Sequence, residues 1–291
     1  MQREMGDYMK LTVKKESKLL EYLYENLDMP KKRVKQYLSH GSIYVNNNKT
    51  TQFDYPLLTG MNIIINTENN SKKTLPFDIL FEDNNILVVN KPTGLLTVAT
   101  QKEKDKTLYH IVSNYLKATD KYARVYIIHR LDKDTSGIVV FAKNEKTKNI
   151  IQENWNDYAS LREYAAVVEG HPRKKSDRIV QNLKETKTNL VYHSLKGEGK
   201  EAITNYEVVK ENNKYSLLKI VIETGRKNQI RVALATINTP VLGDKKYGDK
   251  KSKEPRLFLH ANRLKLYHPF LKKEILFETA LPTEFKKIIN K

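Results

Sequence analysis

The 291-residue chain contains no cysteine. That one absence excludes disulfides, thiolate nucleophiles, zinc ribbons and iron–sulfur clusters together. The seven histidines are scattered, with no His-Glu-x-x-His spacing, so no metal site is expected. No apolar run approaches a membrane span, and residues 1–10 lack an apolar segment of signal-peptide length. The expected location is the cytoplasm. Internal repeats and low-complexity tracts are missing as well. Negative charge is the scarcer sign: 34 Asp and Glu against 52 Lys and Arg leave a net charge of +18. Such a field attracts polyanions, either nucleic acid or a membrane surface, and nucleic acid is preferred. The plain alternative is solubility alone, with a composition drifting towards Lys and Asn.

What is present suits a folded protein: 39% hydrophobic and 30% charged residues, on a chain long enough for one large domain and a small one. Residues 1–10 read as a loose terminus. Ser17 suits the cap of a helix carrying Leu19, Leu20, Leu23 and Leu27 on one face. Pro30 opens a second helix that turns Val34, Tyr37 and Leu38 inward and Lys32, Lys35 and Gln36 outward, and Gly41 ends it. Strands at 43–45 and 62–66 complete a small unit over residues 11–68, followed by a polar linker over 69–76 and a second domain over 77–291. In that domain, strands are predicted at 77–81, 86–89, 161–170, 202–210 and 216–223. Helices are predicted at 107–115 and from the Asn144 cap to about 154.

The most informative stretch runs from Ile127 to Asn144. Two β-branched apolar runs, 125–128 and 138–142, read as buried strands bracketing His129-Arg130-Leu131-Asp132-Lys133-Asp134-Thr135-Ser136-Gly137. A loop fixed at both ends by strands is a common mount for reactive side chains, and Gly137 is free to take a positive φ. A charged surface turn is the bland reading of the same residues.

His129 to Asp132 followed by Thr135 to Gly137 resembles the signature of the RluA-type RNA pseudouridine synthases. Further matches come in the family's order: Lys91-Pro92-Thr93-Gly94, Tyr164 with Ala166 and Gly170, Thr224 to Arg231, Gly243-Asp244 with Tyr247-Gly248, and Leu259-His260-Ala261. The resemblance implies an α+β fold with a mixed, largely antiparallel sheet and a central basic cleft. It implies a reaction that breaks the bond from uracil N1 to ribose C1′, turns the base, and rejoins it through C5. Nothing is oxidised, so no cofactor is expected. By the same resemblance Asp132 is the catalytic carboxylate, with Asp134 its rival, Arg231 its basic partner, and Tyr164 the ring that stacks on the base and can take the C5 proton. Arg130 would fill the gap left by a flipped uridine. His129, Lys91, Arg226, Asn228 and Gln229 would meet RNA. Asn228 stands where the family most often has histidine, so a weaker phosphate contact is expected there. Residues 11–68 resemble an S-four-type RNA-binding domain through the paired helices, Lys31-Lys32-Arg33-Val34-Lys35-Gln36 and the segment 41–46. A cationic helix of this kind tracks phosphates and sets position rather than sequence.

The expected substrate is structured RNA, ribosomal RNA first and transfer RNA second, and the expected state is a monomer. A non-catalytic RNA-binding or ribosome-assembly factor on the same fold is one rival. An Asp-x-Asp metal site of a nucleotide-sugar transferase, at Asp132 and Asp134, is the other.

Overall fold

A computed structural model describes residues 8–39, 41–66, 75–101, 103–195 and 197–291. The chain divides into two compact units, Met1–Leu75 and Pro76–Lys291.

The smaller unit runs β1 (Tyr8–Thr12), β2 (Ser17–Lys18), α1 (Leu19–Asn26), α2 (Lys31–Ser39), β3 (Ile43–Val45), β4 (Asn48–Thr50), β5 (Pro56–Leu57) and β6 (Asn62–Asn66). An antiparallel sheet in the order β1-β6-β3-β4 forms beside the two helices. Helix spacing of four brings Leu19 and Leu23, then Val34 and Leu38, onto inward stripes. Strand spacing of two does the same for Ile43 and Val45 and for Ile63 and Ile65, and these residues share one core. Gly41, at φ 65°, closes α2: its N–H bonds to the Leu38 carbonyl while Ser42 bonds back to Tyr37. Asn46 and Asn47, both at positive φ, make the tight turn from β3 to β4.

Two expectations need correction. Residues 8–10 are not loose; they pair with Ile64, Ile65 and Asn66 along the edge of β6 that β3 leaves open. Residues 1–7, and 69–74 of the expected linker, lie outside the described residues. Ser17 does not cap α1. Lys18 occupies that position without a side-chain bond, and Ser17 is held in the short β2–β5 pair.

The larger unit runs β7 (Asp78–Glu82), β8 (Ile86–Lys91), α3 (Leu108–Thr119), β9 (Tyr126–Ile127), β10 (Ser136–Ala142), α4 (Glu145–Glu153), α5 (Trp155–Tyr158), β11 (Leu161–Glu169), β12 (Ser176–Glu185), β13 (Val191–His193), β14 (Lys200–Glu211), β15 (Tyr215–Ile222), α6 (Gln229–Thr236), β16 (Leu259–His268), β17 (Lys273–Glu278) and α7 (Thr283–Ile289). Among the described residues, one sheet takes the order β13-β12-β14-β15-β11-β16-β10-β8-β7, with β17 on β16 and β9 on β10. Only β10 and β16 run parallel within it. The α+β class and the mixed, largely antiparallel sheet are as expected.

All seven residues of β10 are buried, which explains a continuous apolar run where a half-exposed strand would alternate. Two cores flank the sheet's middle. One gathers Val167, Leu218, Ile220, Leu234, Phe258 and Phe285; the other gathers Val88, Ile138, Val140, Ile151 and Leu266. Fully burying a side chain of this size is worth about 1.5–3 kcal/mol. Thr107 and Asn144 cap α3 and α4 by accepting from the N–H groups of His110 and Thr147. No helix among the described residues is long and apolar enough to cross a membrane.

Candidate active site

The polar loop between β9 and β10 is held from behind by residues 91–97. Lys91 is fully buried, and its ammonium donates to the carbonyls of Pro92 (2.9 Å), Leu95 (2.7 Å) and Lys133 (3.0 Å). The Thr93 hydroxyl donates to the Asp134 carbonyl (2.7 Å) and the Thr97 hydroxyl to that of Leu131 (2.7 Å). The carbonyls of Leu131, Lys133 and Asp134 are thus each tied to a named side chain, and that of Asp132 accepts from the Thr135 N–H. Burial pushes Lys91 down to about 7, against the pull of Asp134 and Asp132. At the loop's end Gly137 has φ 117°, and a Cβ there would lie 2.2 Å from the Ala261 carbonyl oxygen. Only glycine lets β10 approach β16 this closely.

On its front the loop opens onto a cavity of about 300 Å³, lined by Arg130, Asp132, Tyr164, Arg226, Asn228 and Arg231 among others. Tyr164 comes from β11, at a bulge against β16 between Glu163 and Tyr164. Such a bulge re-aims the side chain that follows it. Burial pushes the Tyr164 phenol up to about 12; Arg162 opposes the shift and Asp132 adds to it. Arg231 comes from the first turn of α6. Its Nε and one terminal nitrogen grip Asp244 in a fork, both at 2.7 Å, and its other terminal nitrogen stands 3.7 Å from Asp132 Oδ2. Asp244 is buried, yet the two bonds from Arg231 hold its carboxyl below the usual range, helped by the N–H groups of Lys246 and Tyr247.

Asn228 opens α6 in the left-handed region, φ 55° and ψ 16°. Its amide is assigned by its partners. Nδ2 donates to Asp132 Oδ2 at 2.6 Å, and Oδ1 accepts from the Tyr247 hydroxyl at 2.9 Å and the Lys246 ammonium at 3.2 Å.

The structure therefore brings Asp132, Tyr164 and Arg231 to one cavity and leaves Arg130 and Arg226 exposed at its edge. It corrects three of the expected RNA contacts. Lys91 has all three donors committed to carbonyls. His129 is neutral, pushed down to about 4 by burial and then by Arg162; its Nε2 accepts from the Val140 N–H (3.0 Å) and its ring stacks on Trp155. Gln229 is buried, accepting from Thr224 and Arg226 and donating to Ile203 and Thr204. These groups hold the cleft's walls. Asn228 faces the carboxylate rather than a phosphate. Lys31, Lys32, Arg33, Lys35 and Gln36 are exposed on α2 of the smaller unit.

Asp244, Tyr247, Thr93 and Thr97 received no role from sequence, although Gly243-Asp244 and Tyr247-Gly248 stood among the motif matches. Asp134 is exposed and meets Thr93 only through its carbonyl. Among the described residues, no group of three or more His, Asp or Glu is placed to hold a metal ion.

The family model for RNA pseudouridylate synthase matches residues 85–236. An uncharacterised RNA pseudouridine synthase of Bacillus subtilis (strain 168) is 30% identical over 277 residues, covering 93% of this chain and 91% of its own. The chain belongs to the RNA pseudouridylate synthase family. As a member it is an isomerase acting on RNA. Ribosomal large subunit pseudouridine synthase D of Yersinia pestis is 30% identical over 284 residues, covering 90% of this chain and 86% of its own. A solved human structure, RNA pseudouridylate synthase domain containing 4, shares the fold at a TM-score of 0.60 and 24% identity, over 72% of this chain and 90% of that one.

Proposed function

We propose that this synthase isomerises uridines of large-subunit ribosomal RNA, with Asp132 as the reacting carboxylate, Arg231 as its basic partner and Tyr164 as the ring that receives the base. The observation that carries this reading is the convergence of those three side chains, from a loop, a helix and a strand, on one cavity. Relatives named for the large ribosomal subunit support the choice of RNA. The small unit acts as an S-four-type RNA-binding domain through the exposed cations of α2, and the enzyme works as a cytoplasmic monomer without a cofactor.

Chemically, the N1–C1′ bond breaks, the uracil turns, C1′ bonds to C5, and the C5 hydrogen leaves as a proton while N1 gains one. Asp132 must be ionised to act at the sugar, and the Arg231 cation stands 3.7 Å from its Oδ2. Tyr164 is a neutral phenol far above physiological pH, so its resting role is a stacking face. Arg130, exposed beside Asp132, takes the space of the flipped uridine; flipping costs a few kcal/mol and less from a loop.

Tritium at C5 of uridine reads the reaction directly. The native enzyme should release it into water in the presence of EDTA, and Asp132→Asn should release none while still binding RNA. Undiminished release by Asp132→Asn removes that carboxylate from its role. Mapping pseudouridines in a deletion strain tests the target: a loss confined to transfer RNA would move it from the ribosome.

A further inference from the structure

Arg231 is the obvious partner for Asp132, yet its geometry is spent elsewhere. The fork formed by Nε and one terminal nitrogen is filled by Asp244 at 2.7 Å on both arms, and the remaining nitrogen reaches Asp132 only at 3.7 Å. That separation gives attraction but no directional bond. The short bond to the carboxylate comes from the neutral amide of Asn228, at 2.6 Å.

We propose that Asn228 is a positioning residue for the isomerisation: its amide fixes Oδ2 of Asp132 and leaves Oδ1 to the ribose. This rests on the reading of Asp132 as the reacting carboxylate. Three features prepare the amide for that task. It is buried, with 8% of its surface exposed. Its backbone sits at φ 55°, a conformation that asparagine tolerates better than any other residue except glycine. And it ends a relay in which every donor meets an acceptor. The Val191 N–H donates to the Tyr247 oxygen at 3.1 Å, the Tyr247 hydroxyl donates to Asn228 Oδ1, and Asn228 Nδ2 donates to Asp132. Bonds aligned head to tail in this way polarise one another. Tyr247 is itself fixed by the Arg231 cation 5.1 Å from its ring centroid. Charge attraction from Arg231 and orientation from Asn228 are therefore supplied by two separate residues of α6 and its first turn.

The test separates the amide from the backbone it sits on. Asn228→Gly keeps the left-handed conformation and removes only the side chain. The single-turnover rate should fall about 10- to 100-fold, the loss typical of a misplaced reacting group, with the half-saturating RNA concentration changed less than threefold. Tyr247→Phe should lower the rate in the same direction by a smaller factor, and the double variant should be no slower than Asn228→Gly. Asn228→His provides the signature that a structural role would not move. The groups facing position 228 are Asp132 from the loop, Arg231 from α6, and Lys246 and Tyr247 from the following turn. An imidazole ionises between about pH 5 and 8, so the variant's rate should show one more ionisation in that range than the native profile carries. A native rate in Asn228→Gly overturns the proposal, and so does a loss that appears only as weaker RNA binding or as a lowered melting temperature. If Asp132→Asn is inactive while Asn228→Gly is fully active, this inference alone fails; if Asp132→Asn is active, the reading of the carboxylate fails first.

Discussion

The cleft and helix α2 both present Lys, Arg and Gln residues where RNA is expected, and they are built in opposite ways. In the cleft, Lys91 gives three hydrogen bonds to carbonyls and the Gln229 amide makes four contacts, so neither has anything left for a ligand. On α2, Val34, Tyr37 and Leu38 turn inward and leave Lys31, Lys32, Lys35 and Gln36 around a shallow hollow of about 630 Å³, with Tyr24 and Phe53. Residue type alone does not separate a ligand contact from an internal strut. What separates them is whether the protein already satisfies the group's donors and acceptors.

Lys91→Met is the strongest way to break that contrast. Met fills similar volume but leaves three carbonyls without a donor, loosening the peptides beside Asp132. The single-turnover rate should fall about 100-fold, with RNA affinity and its salt dependence unchanged. Loss of affinity instead would return Lys91 to the RNA. The native enzyme carries a related pH limb. The ammonium has three N–H groups for three carbonyls and the neutral amine has two, so the rate should decline as pH rises through about 7 and beyond. Lys91→Met should lack that decline.

Much of this was legible before any coordinates. Buried strands announce themselves by β-branched runs such as 138–142, and Asn144 by its place as the cap of a helix; Thr107, read as the first residue of its helix, is instead that helix's cap. Pairing partners were not legible. Residues 8–10 look polar and loose until β6, more than 50 residues away, supplies an edge. The same gap explains the site. Asp132, Tyr164 and Arg231 each sat in a recognisable motif, whereas the role of Asp244 exists only because α6 aims Arg231 at it. Burial of Lys91 was likewise invisible, because a lysine beside Pro-Thr-Gly reads as surface turn until the loop at 131–134 folds over it.

Two histidines of the larger unit extend the comparison to stability. His260 is buried and pushed down to about 4 by burial and then by Arg256; its ring nitrogens meet Ser136 and Thr279, both at 2.8 Å. His129 is pushed down to about 4 as well. An unfolded histidine titrates near 6.5, so between pH 6.5 and 4 the unfolded chain binds more protons than the native one. Stability is then complete above 6.5 and is lost as pH falls towards 4, by up to roughly 3 kcal/mol for His260 and less for the partly exposed His129. Thermal melts at pH 7, 6 and 5 should show the fall, and His129→Asn should reduce it. Were His129 a phosphate contact, RNA affinity would instead rise on acidification to pH 6; it should stay flat apart from general unfolding.

The smallest effect sharpens the other side of the contrast. Lys32 and Lys35 are exposed on α2, and alanine is a better helix former at both positions, so Lys32→Ala/Lys35→Ala should leave the melting temperature essentially unchanged. If each lysine neutralises one phosphate, the slope of log affinity against log salt should flatten by about 0.7–0.9 per residue, or about 1.4–1.8 for the pair. Affinity at physiological salt should drop about tenfold, while the single-turnover rate on saturating RNA stays native. Binding and slope that both stay native would show that α2 presents solvated lysines and nothing more, and would leave the RNA-binding role of the small unit without its main support. A slowed reaction at saturation would say something different: that these cations orient the substrate in the cleft as well as attract it.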